Sequence, residues 1–502
     1  MGLWEFAKTA ARVSAKASQI TSRGVEQRIR STIANGGAHA ARKGLIGPWD
    51  PPPPPNVSGY LNFAGVARPE DIDCREWWFP LGRYVVPKYP WQATDPIGLS
   101  ASEINRHTLV VGPTRAGKTA GLIAPWIVEG VLAGYNVVTL DLKGGGDLQR
   151  DVAAYRDSLP TRPPIRLRRW DYRNPSARNS WNFIRELDSD GAINAAAEAI
   201  CGRPRDNDPN RNFHLRDLKW AKGLLELAYD TGEDLTVKDI LSLLADQQSL
   251  ESVIRAYPQS RGAQRIADLC TLDFPEYSKT TQFLTTYFEV LNNDGFVSAT
   301  SQPRLSLNDV ASGQASITII NAPVSDGELA EIASGLFMSL LLNRRLSAFG
   351  QTSAPLLVVL DESPRLQDRI DLGRTLSLAA GANVSLLLAA QEIEQFHEDK
   401  RNEILANCGT LVVMAGCNFS TTDVVMKRLG SRVETQLSST STYDKNGRST
   451  GYTSNINTVP VLGHNELSNP PTGIRGATVV NNRLSRRPVL VDFTRPDLTK
   501  PD

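Results

Sequence analysis

Apolar residues follow two rhythms along this chain. Short, largely apolar runs stand at Thr108–Val111, Asn136–Asp141, Ser316–Asn321, Leu356–Asp361, Val384–Ala390 and Thr410–Met414, and Ile165–Asp171 reads as a further short strand with Arg166, Arg168 and Arg169 upon it. Brief runs rich in Val, Leu and Ile, apolar at successive positions, predict strands covered on both faces of a parallel sheet. Elsewhere the apolar spacing is three and four. Ala120–Leu132, Leu215–Tyr229, Val237–Leu244, Leu250–Tyr257 and Thr280–Leu291 read as amphipathic helices. Strand signals fade between about 213 and 300 and then return, which predicts a helical block inserted in an α/β fold. Residues 438–455 are rich in Ser, Thr and Gly without apolar alternation, and the expectation there is a mobile loop.

The first strand leads into the most informative segment. From Gly112 the chain reads Gly112, Pro113, Thr114, Arg115, Ala116, Gly117, Lys118, Thr119, the G-x-x-x-x-G-K-[ST] pattern, with a helical stretch directly behind it. Glycines let successive backbone N–H groups turn toward a phosphate, and the helix N-terminus places partial positive charge behind them. Lys118 is expected to reach the β- and γ-phosphates and Thr119 to hold Mg²⁺. These eight residues are the expected binding site for ATP. An N-K-x-D guanine-reading motif does not occur in the chain.

Leu356–Leu360 is an apolar run ending in Asp361 and Glu362. One acid at such a strand end can hold Mg²⁺ opposite Thr119, and the next can take a proton from an attacking water. The expected roles are metal binding for Asp361 and general base for Glu362. Gln391 ends the following strand, where an amide can touch the γ-phosphate or its water. Asp141 and Lys143 end the strand after the glycine loop, close enough in pattern to be neighbours of the phosphates or caps of the next turn.

Composition adds limits. The 502 residues are 41% hydrophobic and 22% charged with a net charge of +1, ordinary for a globular protein. The charge is uneven: residues 1–46 hold eight Lys/Arg against Glu5 and Glu26, about +6, which leaves the remainder near −5. That tail can form an amphipathic helix with Leu3, Trp4 and Phe6 near one face. Peripheral contact with anionic lipid and docking on protein both stay open. Phe6 stands where a myristoylation signal needs Ser or Thr. The five cysteines are scattered without a C-x-x-C pair, which reads as reduced thiols. No apolar run approaches the ~20 residues of a membrane helix, so the expected location is cytoplasmic, or peripheral at the inner face of a membrane.

Together these residues resemble the VirD4/TraG-type coupling proteins of type IV secretion and conjugation. The resemblance runs from about Phe79 to Phe493. It rests on Gly82-Arg83, His107 before the glycine loop, Asp141-Leu142-Lys143-Gly144, and Ser180-Trp181-Asn182-Phe183. Asp361-Glu362-Ser363-Pro364, Gln391-Glu392, Asn407-Cys408-Gly409-Thr410 and Glu466-Leu467 complete it. It implies a RecA-like P-loop ATPase fold with a parallel central sheet and an inserted all-α domain. It also implies a homohexamer with ATP between subunits, and partners that are DNA, a relaxase or secreted protein cargo, and components of the secretion channel. Backbone-tracking DNA contacts are then expected from basic residues, with Arg166, Arg168, Arg169 and Arg173 as candidates, although a solvated edge strand explains them equally well. The family's usual pair of N-terminal membrane helices is not matched here. Some members carry an arginine before the Gln strand that reaches a neighbour's γ-phosphate. This chain has Ala379–Asn383 there, which leaves Arg365, Arg369 or Arg374 as substitutes.

The expected division is a basic tail over 1–47, a Pro-rich linker over 48–74 containing Pro51–Pro55, and a nucleotide-binding domain over 75–212 and 301–502 interrupted by an all-α domain over 213–300. The leading function is an ATP-driven coupling protein. The alternatives are a DNA translocase of the FtsK/HerA kind and a docking adaptor that uses ATP only as a switch.

Overall fold

A computed structural model describes residues 78–85, 93–159, 164–204, 209–348, 354–444, 447–471, 476–481 and 488–493. The basic tail and the Pro-rich segment lie outside these residues. The described chain opens with an antiparallel pair, β1 (Trp78–Val85) and β2 (Ala93–Ser100). β3 (Thr108–Val111), β4 (Asn136–Asp141) and β5 (Leu167–Asp171) come next. After a helical stretch follow β6 (Ile317–Asn321), β7 (Leu356–Leu360), β8 (Val384–Ala390) and β9 (Thr410–Met414). β10 (Ser431–Asp444) and β11 (Gly447–Pro460) pair with each other, and β12 (Gly476–Asn481) and β13 (Val489–Asp492) return to the main sheet.

That sheet runs β2-β1-β13-β12-β9-β3-β8-β7-β4-β6-β5. From β9 to β5 every pairing is parallel, and from β9 outward to β2 every pairing is antiparallel. Each apolar run read from the sequence is one of the parallel strands. Alternate side chains divide between two cores. Val110, Val137, Leu357 and Val359 pack with Trp126 and Ile127 on one face. Leu109, Val138, Leu140 and Val358 pack with Leu336 and Phe337 on the other. Burial on both faces is why these strands lack polar alternation.

Parallel connections leave the C-terminal ends of β3, β4, β7 and β8 along one rim, and the loops at this rim carry the chemistry. Helix Glu328–Ser347 is buried from Leu329 to Leu342 on nearly every side, so it left no amphipathic stripe for the sequence to reveal. Between β5 and β6 run eight α-helices, from Asp190–Cys201 to Leu307–Ser312, with no strand among the described residues.

Two landmark residues fasten that helical stretch to the segment that follows β5. Ser180 Oγ donates to Ala299 O at 3.1 Å and accepts from Gln302 N at 3.0 Å. Asn182 caps Ile184 N with its side-chain oxygen and donates from Nδ2 to Leu235 O at 3.1 Å. Trp170, Trp181 and Phe337 fill the junction with edge-on ring contacts, the Trp181–Phe337 centroids being 4.7 Å apart. Asn407 and Glu466 also serve the fold: Asn407 bonds back to Glu403 O, and Glu466 accepts from Gly463 N in a capping box.

One expectation is overturned. Residues 438–455 are not a loop but most of a two-stranded ribbon, registered from Ser431 opposite Pro460 to Asp444 opposite Gly447. Apolar alternation reports burial against a core, and Val433 and Ile456 near the base of this ribbon are exposed. Strand pairing of this kind leaves Thr content as its main mark. No helix of the described residues is long and apolar enough to cross a membrane.

Candidate functional site

β3 ends in Val111 and the glycine loop turns away at once. A Cβ on Gly112 would stand 2.7 Å from the Met414 Cβ, so only glycine fits beside β9. Gly112 N donates to Ala390 O at 3.2 Å, which ties the loop to the end of β8. Arg115 and Gly117 both hold left-handed backbone, at φ 66 and 94. For Gly117 this costs nothing in side-chain sterics. For exposed Arg115 it is strain of the kind that gathers at functional loops. Thr119–Ile123 then forms a π-helical turn leading into helix Ala124–Leu132.

Lys118 is buried and lies across its own loop, donating to Gly112 O and, at 3.2 Å, to Pro113 O. Burial pushes its amine below the ordinary lysine value, an effect that Asp361 and Glu362 oppose and Lys143 reinforces.

Asp361 directly follows β7 and is 6% exposed. Its Oδ2 accepts from Thr119 Oγ1 at 3.4 Å and from Lys143 Nζ at 3.2 Å, while Oδ1 is buried without a hydrogen-bond partner. A buried carboxylate oxygen with nothing to accept from is costly, and a hard cation answers it. The residues present therefore fit Mg²⁺: a carboxylate just past β7 and a hydroxyl at the start of the helical turn after the glycine loop, with one acceptor in reserve.

Glu362 is left-handed at φ 64 and half-buried. The turn behind it is fixed by Ser363 Oγ, which donates to Ala389 O at 3.0 Å. Gln391 Nε2 donates to both Glu362 carboxylate oxygens, at 3.2 and 3.3 Å. Thus the two strand-end residues singled out separately in the sequence are in direct contact. Asp141 accepts from the Lys143 and Gly144 amides at 3.2 and 3.0 Å, so it caps the turn, whereas the Lys143 side chain crosses to Asp361 and Thr119. Residues 114–119, Asp141, Lys143, Asp361 and Glu362 line a single cleft of ≈ 810 Å³, ample for a nucleotide.

The arginine candidates separate. Arg369 is 9% exposed and clasps Ala199 O, Ile200 O and Glu328, a structural role that removes it from the set able to reach a neighbour. Arg365 and Arg374 are exposed. On edge strand β5 and just beyond it, Arg168 is buried and donates to Asp309 O, Arg169 pairs with Asp171, and Arg173 pairs with Asp326. Arg166 is exposed.

What His107 does is not legible in the sequence. Its ring is 1% exposed, accepts at Nδ1 from Leu386 N at 3.2 Å and donates from Nε2 to Leu376 O at 2.9 Å. Burial pulls its pKa down to about 4, so the ring is neutral and locks β8 beside β3.

The family model described as type IV secretory system conjugative DNA transfer matches residues 68–468. The chain belongs to that family. Within it, the match spans β1 through β11 and the whole cleft. No curated protein sequence matches the chain. Among solved structures, the bacterial conjugative coupling protein TrwBdeltaN70 in an unbound form has a TM-score of 0.57 at 15% identity, covering 82% of this chain and 88% of that one. TrwB in complex with the non-hydrolysable ATP analogue ADPNP gives 0.58 at 15% identity, and TrwB in complex with ADP and Mg²⁺ gives 0.56 at 15%. Each covers 83% of this chain and 94% of that one. At such identity the likeness shows the fold, that of a RecA-like P-loop domain with an all-α insertion.

Proposed function

We propose that this member of the conjugative DNA transfer family hydrolyses Mg²⁺-bound ATP to drive DNA, alone or with an attached relaxase or secreted protein, toward a type IV secretion channel. The observation that carries the reading is convergence: Lys118 and Thr119, at the far end of the glycine loop, meet Asp361 and Glu362, just past β7, in one cleft, with Gln391, just past β8, bonded to Glu362. TrwB, of the same fold, is described with an ATP analogue and with ADP and Mg²⁺.

Each side chain has a task. Backbone amides of residues 112–119 wrap the phosphates, and Lys118 exchanges two carbonyls of its own loop for phosphate oxygens. Thr119 and Asp361 would hold Mg²⁺, which would supply neutralisation of the phosphate charge. Glu362 accepts the proton of the attacking water, oriented by Gln391. Gln391 then reports the loss of the γ-phosphate to β8.

The working assembly in this reading is a homohexamer with ATP bound between subunits, cytoplasmic or held at the inner face of a membrane through residues 1–46. DNA passes along basic loops that follow its backbone. A binding experiment with a fluorescent ATP analogue and Mg²⁺ tests the site. The wild-type chain is expected to bind and Lys118→Ala to lose binding; equal binding by both contradicts the assignment.

A further inference from the structure

Among the described residues, Lys143 is the one cation in the cleft that contacts both expected metal ligands. Its Nζ donates to Asp361 Oδ2 at 3.2 Å and to Thr119 Oγ1 at 3.4 Å, and those two oxygens are themselves 3.4 Å apart. The ammonium therefore closes a triangle with the carboxylate and hydroxyl that would hold Mg²⁺. We infer that Lys143 is a built-in competitor for the divalent cation, so that metal entry requires the ammonium to leave. This rests on the nucleotide-site reading above.

The local structure favours movement of the side chain over movement of the loop. At its start the Lys143 loop is pinned. Asp141 Oδ1 accepts from the Lys143 and Gly144 amides. Leu142 O accepts from Val324 N at 2.7 Å, and Asp141 O accepts from Ala322 N at 3.2 Å. A side chain at Gly144, which is left-handed at φ 69, would collide with Pro323. The backbone of Lys143 is therefore fixed to the end of β6. Its side chain is 48% exposed, whereas Asp361 is 8% exposed at the side chain. The long flexible stem can swing into the solvent-filled cleft, and the carboxylate cannot follow.

Charge makes the exchange obligatory. A cation bridging Thr119 and Asp361 sits within a few ångströms of the present ammonium, and like charges at that range in a partly desolvated site repel strongly. Asp361 keeps a counter-charge in either state: the ammonium before exchange, the metal after it. The swung-out ammonium remains in the cleft that receives the phosphates. Lys143 thereby sets the metal concentration that the site demands.

Manganese provides the readout without turnover. Binding of Mn²⁺ to the full chain is measured by loss of the free-ion electron paramagnetic resonance signal, with no nucleotide and with ADP. The variants are Lys143→Met, Lys143→Arg and Asp361→Asn. Lys143→Met is expected to bind Mn²⁺ about fivefold more tightly than wild type, the worth of one half-exposed ion pair. Lys143→Arg keeps the charge and is expected to stay near wild type. A gain of affinity is not what damage to the fold produces. Unchanged or weaker binding by Lys143→Met, with binding lost in Asp361→Asn, overturns the competition while leaving the metal site standing. Binding unaffected by Asp361→Asn overturns the site and the competition together.

Discussion

Gln391 Nε2 donates to both carboxylate oxygens of Glu362, and the contact joins the end of β8 to the end of β7. One amide bridging both oxygens fixes the plane of the carboxylate. Gln391 is in turn fixed by its backbone amide, which donates to Gln395 Oε1 at 2.8 Å. Replacing Gln391 with Ala is expected to lower ATP turnover by roughly ten- to a hundredfold while nucleotide affinity stays near wild type, because orientation is lost and not phosphate binding. Steady-state kinetics beside equilibrium binding separates the two. A parallel loss of affinity would place Gln391 on the nucleotide itself.

Glu362 is expected to be needed for hydrolysis and not for binding. Glu362→Gln keeps the shape and removes the proton acceptor, which lowers turnover by about 10²- to 10⁴-fold. The variant should retain ATP through a gel-filtration step that clears it from the wild type by hydrolysis. Turnover at the wild-type rate would move the base elsewhere.

His107 makes stability depend on pH. Its folded pKa is about 4, below the roughly 6.5 of an exposed imidazole. Between those values the unfolded chain binds more protons than the folded one, so stability is full above about 6.5 and is lost as pH falls toward 4. The loss at the acid end is roughly 3 kcal/mol. His107→Asn tolerates the left-handed backbone at this position. Its melting temperature should fall less steeply than that of wild type between pH 6.5 and 4. Identical slopes would remove His107 as the source.

Arg345 is 2% exposed and donates to the carbonyls of Ala311, Ala354, Ala382 and Asn383 and to Ser312 Oγ. Burial lowers its pKa with no acid to offset it. Arg345→Met fills similar volume but leaves several buried acceptors unsatisfied, which is expected to cost about 3 kcal/mol. Denaturant unfolding measures it, and a loss below about 0.5 kcal/mol would mean that water replaces the guanidinium.

The parallel sheet was legible because both faces of each central strand are covered, which writes Val, Leu and Ile at consecutive positions. The glycine loop was legible because its turn admits few residues. Helix Glu328–Ser347 was not, since burial all round erases the 3.6-residue stripe. Nor was the ribbon of β10 and β11, whose exposed Val433 and Ile456 carry no core-facing alternation. At the site, residue types such as Lys118, Asp361 and Glu362 announced a nucleotide chemistry. Contacts did not announce themselves: that Lys143 reaches Asp361 and that Gln391 reaches Glu362 depends on which strands are neighbours, and the order β3-β8-β7-β4 is a property of the fold. Arg369 shows the reverse, a charged residue whose partners, helix-end carbonyls of Ala199 and Ile200, no local pattern reveals.

In the proposed function, ATP hydrolysis in this cleft drives movement along DNA. ATP turnover by the purified chain with Mg²⁺, with and without single- and double-stranded DNA, at low and moderate salt, tests it most directly. Hydrolysis stimulated by DNA, with a stimulation that fades as salt rises and vanishes in Lys118→Ala, is the predicted result. Hydrolysis indifferent to both forms of DNA at every salt concentration would contradict a DNA motor.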